Sequence, residues 1–208
     1  MPNDLSNLQE QLPSTTALPD CVSQSGYVNN HVGTLVQNFF QNSQHPSSRR
    51  HGRKQPDIQK LNSDLFHVIV SNEIDLANDA STPFVIPFDR ALTKFTDTDL
   101  RKRYATLEDD TKEKLRTYPA IFAHEDDGYA HASFSQNFAV GTIQDISIDY
   151  GLGIRIVPQI YDFFAQQDLD ALWKEFHLAG HVRFNELNRT HWSLKRGNLV
   201  EAIQEYLL

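Results

Sequence analysis

Phe138-Ala139-Val140-Gly141-Thr142-Ile143-Gln144-Asp145-Ile146-Ser147-Ile148-Asp149-Tyr150 runs into Gly151-Leu152-Gly153 and then Ile154-Arg155-Ile156-Val157. The β-branched residues Val140, Ile143, Ile146 and Ile148 mark extended backbone. Their phase slips between Ile143 and Ile146, which predicts a bulge or a break into two strands. The glycines at 151 and 153 turn the chain, and Ile154–Val157 returns along it. Upstream, Pro119–Glu125 alternates around Ile121 and Ala123, and Tyr129–Ser135 alternates again. Asp127-Gly128 between them is a two-residue hairpin signal. Four or five short antiparallel strands over about residues 119–158 predict a small bent antiparallel sheet or barrel.

Helical patterns flank this unit and set the class as α+β. Leu100, Tyr104 and Leu107 share one helical face, with Thr96 or Thr98 as cap. A second pattern from Glu108 to Thr117 turns Leu115 and Tyr118 inward and stops at Pro119. Downstream, Leu169, Leu172, Trp173 and Phe176 recur at helical spacing. Asp168 is the expected cap, Asp170 and Lys174 an expected pair, and Gly180 the expected residue after the helix end. The last helix has Asn198 as cap, Glu201 three residues on, and Leu199, Val200, Ile203, Tyr206 and Leu207 inward. Before the β-unit, Asp64–Val70 reads as a strand and Pro83–Pro87 as a short extended piece.

The 208 residues suit one domain behind a leader: 1–60 as a flexible polar leader and 61–208 as a single α+β domain. With 39% hydrophobic residues the chain can bury a core, yet no run nears the roughly 18 apolar residues of a membrane helix. A single cysteine, Cys21, excludes a disulfide framework and Cys-rich zinc modules. Met1-Pro2-Asn3-Asp4-Leu5 lacks an export signal, so a cytoplasmic protein is expected. The leader is rich in Asn, Gln, Ser and Pro. Its one apolar island, Val32, Leu35, Val36, Phe39 and Phe40, has helical spacing and is expected to dock on the body or on a partner. Charge divides unevenly: the leader carries net +1, the remainder −9. Arg49, Arg50, Arg53 and Lys54 form a basic knot that reads as a phosphate or nucleic-acid contact, or as a solvated linker.

No P-loop, dinucleotide loop or nucleophile elbow is present. Histidine is the informative residue. His177 and His181 stand four apart and His191 follows, a three-ligand zinc pattern; against it, position 178 is Leu and Gly180 interrupts the helix. His124 and His131 face each other if Asp127-Gly128 turns the hairpin, and with Asp126 they could form an acid/base pair or hold a metal. Glu108-Asp109-Asp110 and Glu125-Asp126-Asp127 sit where helix starts and turns favour carboxylates.

Phe184-Asn185-Glu186-Leu187-Asn188-Arg189-Thr190-His191-Trp192 is the least ordinary stretch. It resembles the C-terminal signature of a small bacterial domain found alone or fused to effectors of antiviral and conflict systems. Ile86-Pro87-Phe88-Asp89-Arg90-Ala91-Leu92 and Pro119-Ala120-Ile121-Phe122-Ala123-His124-Glu125 resemble its other two landmarks. The resemblance spans about residues 61–208, and Ser193–Asn198 departs from its pattern. It implies a sensing or regulatory module more than an enzyme. The residues of the same stretch suit an anionic or planar ligand: Arg189 offers a planar donor fork, Trp192 a stacking face, and His191 and Asn188 hydrogen-bonding groups. Trp192 is expected beneath the loop, with Arg189 and His191 presented on its surface. The expected function is therefore a non-enzymatic binding or regulatory module for a partner protein or an anionic ligand, with no cofactor. A nucleic-acid-binding β-unit and a histidine-dependent metal hydrolase or nuclease are the alternatives.

The leader's composition buries too little to offset its ordering entropy. Limited proteolysis is expected to cut within Ser47–Gln55 and leave a stable fragment beginning near Leu61; protection of those bonds in the isolated protein would refute it.

Overall fold

The structure is a computed structural model and describes residues 61–76, 81–128, 131–181 and 184–207. Cys21, the apolar island at 32–40 and the basic knot at Arg49–Lys54 lie outside the described residues.

In chain order the strands are β1 (Leu65–Val70), β2 (Phe84–Ile86), β3 (Pro119–Ala123), β4 (Asn137–Asp149), β5 (Gly153–Ala165), β6 (Gly180–His181), β7 (Phe184–Asn185) and β8 (His191–Arg196). The helices are α1 (Thr98–Arg103), α2 (Asp109–Arg116), α3 (Gln166–Ala171) and α4 (Leu199–Tyr206). Six strands form one curled sheet in the order β2-β5-β4-β3-β1-β8, and β6 and β7 form a separate ribbon. The α+β class is as expected. The sheet, however, is mixed: β1 pairs parallel to β3 and antiparallel to β8, so an antiparallel unit over 119–158 is only its middle.

β4 and β5 are thirteen residues each, longer than most strands, and they stay paired by bending. One register shift falls between Ile143 and Asp145, where the apolar phase slips; a second falls between Val140 and Gly141. Gly141 is required there, since a Cβ at that position would lie 2.1 Å from the Gln159 carbonyl oxygen. The expected hairpin at Asp127-Gly128 is absent. Gly128 bridges to His131, no strand forms over 131–135, and the chain loops from β3 to β4. Gln136 organises that loop: its Oε1 accepts from Ser133 N–H (2.7 Å) and Asp127 N–H (3.2 Å), and its Nε2 donates to the Glu125 carbonyl (2.7 Å). A side chain that satisfies three backbone groups replaces a ladder.

α4 starts as expected, with Asn198 Oδ1 accepting from Glu201 N–H. α3 differs. Ala165 precedes it as cap, and Asp168 lies in its first turn. Turns continue the helical path to Phe176 and end in a Schellman arrangement around His177, not Gly180. Leu178 N–H bonds the Trp173 carbonyl (2.8 Å), His177 N–H bonds that of Lys174 (3.0 Å), and His177 takes the left-handed φ of 53°. Asp170 does not pair with Lys174; it accepts from Ala132 N–H and Asn185 Nδ2.

The sheet is apolar on both faces. Leu65, Ile69, Ala120, Phe122, Trp192 and Leu194 pack with Leu100, Tyr104 and Leu115 of the α1–α2 region. Phe66, Val68, Val70, Ile121 and Phe138 pack against Leu169, Phe176, Leu178, Leu199 and Ile203. Residues 93–96 run along the outer edge of β8: Thr93 N–H bonds the Trp192 carbonyl (3.2 Å), and Leu194 N–H bonds Thr96 Oγ1 (2.9 Å). An edge that would otherwise recruit another strand is thereby covered.

One polar chain crosses the first core. Trp192 Nε1–H donates to His67 Nδ1 (3.1 Å), and His67 Nε2–H donates to the Leu115 carbonyl (2.9 Å). Both ring nitrogens are used by the neutral imidazole, and burial pushes its pKa down to about 4. Trp192→Phe removes the donor and leaves His67 Nδ1 unpartnered in a fully buried site. The expected loss is about 2–4 kcal/mol, combining an orphaned acceptor with a partial cavity. Denaturant melts read it, and a loss below about 1 kcal/mol would show that the bond is dispensable.

Candidate functional site

A cleft of about 600 Å³ opens where the parallel strands β1 and β3 end. Ser71, Asn72 and Glu73 follow β1 and Glu125 follows β3; Val85 and Pro87 come from β2 and its end, Arg90 from the short 3-10 turn Phe88–Arg90, and Asn188–Thr190 from the approach to β8. The carboxyl ends of parallel strands are where sheets of this kind leave room for ligands.

Hydrogen bonds fix the walls. Ser71 N–H bonds the Ala123 carbonyl (3.0 Å), and Glu125 N–H bonds Asn72 Oδ1 (2.9 Å). Glu125 Oε1 accepts from both the backbone N–H (2.6 Å) and the hydroxyl (2.5 Å) of Thr190. A reciprocal cap between Asn185 and Asn188 shapes the 3-10 turn Glu186–Asn188. Asn188 Nδ2 also donates to the Gly128 carbonyl (2.9 Å). Arg189 is therefore held at its backbone between two anchored neighbours while its side chain is exposed. Among the described residues no carboxylate pairs with it. Arg90 pairs only with its neighbour Asp89, at 3.4 Å.

The candidate residues separate. Arg189 and Asn188 line the cleft. His191 does not present itself on the loop: it is fully buried, because β8 begins with it. Its Nδ1–H donates to the Arg189 carbonyl (3.0 Å), and Ser193 Oγ lies 3.5 Å from Nε2. Burial, abetted by the charges of Lys195, Arg90 and Arg189, pushes its pKa down to about 4. Trp192 points to the opposite face and is 1% exposed, so it offers no stacking surface to the cleft. Its edge borders a second, smaller pocket of about 240 Å³ with Phe88, Leu92, Tyr104 and Ile154.

The histidine sets do not assemble. His177 is exposed, and its ring lies 3.1 Å from where a Gly197 Cβ would sit. His191 is at the other end of β8, about 20 Å away by strand rise. No side-chain position is described for His181. His124 Nε2–H bonds the Ile74 carbonyl (2.7 Å), while His131 is exposed beside Gly128. Among the described residues no three His, Cys, Asp or Glu side chains converge to hold a metal.

Sequence reasoning singled out neither Glu73 nor Asn72. Arg90 was present only as a member of a landmark segment, and Glu125 as a member of another and of the acidic cluster Glu125-Asp126-Asp127, which read as a turn. All three of those segments, 86–92, 119–125 and 184–192, contribute to the cleft wall. The chain matches no family model, no curated protein and no solved structure.

Beside the cleft, the buried Glu186 and the half-buried Asp126 carry raised pKa values. Glu186 Oε2 meets Lys195 Nζ at 2.8 Å, yet burial outweighs Lys195 and raises the carboxyl to about 7. Asp126 is raised to about 7 by burial, opposed by the Gln166 amide (2.8 Å) and reinforced by the charge of Asp170. The folded chain thus keeps a proton on Asp126 that the unfolded chain releases near pH 4, so this group's contribution falls as pH rises from 4 to 7. Asp126→Asn mimics the protonated form. Relative to the parent it is expected to gain about 1–2 kcal/mol over that window after solvent screening, and nothing below it. Denaturant melts at pH 4, 5, 6 and 7 test this; a difference independent of pH would refute it.

Proposed function

We propose that this chain is a non-enzymatic recognition module that binds an anionic ligand in the cleft between Arg90 and Arg189. The observation that carries the reading is the Arg189 guanidinium, which pairs with no carboxylate among the described residues, is anchored at its backbone, and lines a cleft together with a second guanidinium. A fixed backbone with a free fork suits charge-assisted, bidentate contact to a carboxylate or phosphate. The convergence of the three landmark segments on this cleft supports a sensing or regulatory role of the kind their resemblance implies, in a bacterial antiviral or conflict setting.

Binding is favoured over catalysis by what lies near the arginines. His191 and Ser193 are fully buried, and His191 is committed to the Arg189 carbonyl. A general base must reach the proton it abstracts, and neither ring nitrogen opens on the cleft. None of the ten lining residues is aromatic, so a nucleobase has no ring to stack on there.

The test is titration of the full chain with inorganic phosphate, sulfate and propanoate at low ionic strength. Arg189→Ala is expected to weaken binding at least tenfold, as loss of a charge-assisted contact worth about 1.5–3 kcal/mol requires. Arg189→Lys, which keeps the charge and loses the fork, falls between. Neither change moves the thermal midpoint, because the side chain is exposed. Equal anion binding by the parent and Arg189→Ala would overturn the assignment.

A further inference from the structure

The cleft carries both signs of charge. Glu73 and Glu125 line it together with Arg90 and Arg189. Among the described residues none of these carboxylates comes within 4.0 Å of either guanidinium. The four charges therefore share the cleft without forming ion pairs with one another among the described residues. Glu125 is turned to Thr190 by two short hydrogen bonds, and its N–H is tied to Asn72. Glu73 N–H is tied to Ser71 Oγ at 3.2 Å, and its Oε2 faces Val85 N–H at 3.5 Å. Arg90 ends the 3-10 turn Phe88–Arg90 and leans on Asp89. Arg189 sits between anchored Asn188 and Thr190.

We infer that the ligand of this cleft is a small zwitterion, with an acidic group between Arg90 and Arg189 and a protonated amine facing Glu73 and Glu125. The inference rests on the anion-recognition reading above and deepens it. A ligand that is only an anion gains from the arginines and loses against the two carboxylates, since at equal distance like and unlike charges act with equal strength. A ligand that is only a cation meets the reverse. The four cleft charges sum to zero, and a dipolar molecule of zero net charge is the class that offers an opposite charge to each pair. The volume, about 600 Å³, lies within the roughly 300–1,000 Å³ of small-molecule sites. With no aromatic side chain in the lining, recognition comes from charge and hydrogen bonding, and Asn72 and Thr190 supply polar edges.

The experiment is calorimetric titration of the full chain at low ionic strength. The zwitterions are glycine, 4-aminobutanoate, 6-aminohexanoate and glycylglycine, a series that varies the charge separation. Propanoate, inorganic phosphate and butylamine are the one-ended controls. At least one zwitterion is expected to bind tenfold or more tightly than every control. Glu73→Gln, a change at an exposed side chain, should erase that advantage by weakening the zwitterions, while phosphate and propanoate, relieved of one repelling carboxylate, bind more tightly than to the parent. Arg189→Ala should weaken zwitterions and anions alike. If the zwitterions bind no better than propanoate or phosphate, or Glu73→Gln keeps their advantage, while the anions still depend on Arg189, the zwitterion inference fails and the anion reading stands. If no compound of the series binds in an Arg189-dependent way, both fall.

Discussion

The hydrogen-bond chain from Trp192 through His67 to the Leu115 carbonyl sets the geometry on which the rest depends. It joins β8 to β1 and β1 to α2 across the core. Because His67 is neutral and uses both nitrogens, it fits only one tautomer and one placement of the indole. That placement locks the β1–β8 register, in which Ile69 faces Trp192 and His67 faces Leu194. A slip by one residue would exchange the two faces of β8 and drive His191, Ser193 and Lys195 into the face packed by Leu100, Tyr104 and Leu115. The cleft inherits this register: Thr190 and Arg189 immediately precede β8, and their position is where β8 begins.

How much of this could be read from the sequence depended on whether the signal was local. The β4–β5 pair and its slip at Ile143–Ile146 were legible because β-branched residues and the 151–153 turn lie side by side. So was α4, where Asn198 and Glu201 form a local cap. The parallel β1–β3 pairing was not, since nothing in Leu65–Val70 names a partner that begins at Pro119. β8 carried a period-two pattern, with Trp192 and Leu194 alternating against His191, Ser193 and Lys195. It did not read as a strand because its polar set has the composition of a solvent face, yet every one of those three residues is buried. In the helical stretch after β5, Gly180 drew the helix end to itself, but the Schellman hydrogen bonds close around His177. Arg189 was legible as an isolated fixed charge. Glu73 and Arg90 were not, because only the sheet end brings them to it.

The buried polar face of β8 has its own logic. Lys195 donates to Glu186 and to the Phe95 carbonyl, and its ammonium lies 5.6 Å from the centre of the Phe95 ring. Glu186 Oε1 remains without a partner, and its carboxyl has a raised pKa despite the adjacent ammonium. A buried ion pair of this type seldom adds net stability over an apolar pair of similar volume. Its structural consequence is directional: Glu186 opens the 3-10 turn that leads to Asn188 and Arg189, and Lys195 fixes where that turn can sit on the strand. The loop is thus positioned from beneath by a charge pair and from the side by Glu125.

This scaffolding explains why the cleft suits recognition. His191 holds the Arg189 carbonyl, and burial and the nearby cations keep the imidazole neutral across the physiological range, so the anchor does not change charge when an anion arrives. Glu125 holds Thr190 through two hydrogen bonds, and Asn188 is tied to Gly128. The backbone on both sides of Arg189 is therefore ordered before any ligand enters, and only the side chain has entropy left to lose. Preorganisation of this kind concentrates affinity in a single fork of donors and lowers the cost of closing on a small ligand. Among the described residues Glu73 and Glu125 form no ion pair with Arg90 or Arg189, so both signs stay available to whatever fills the cleft.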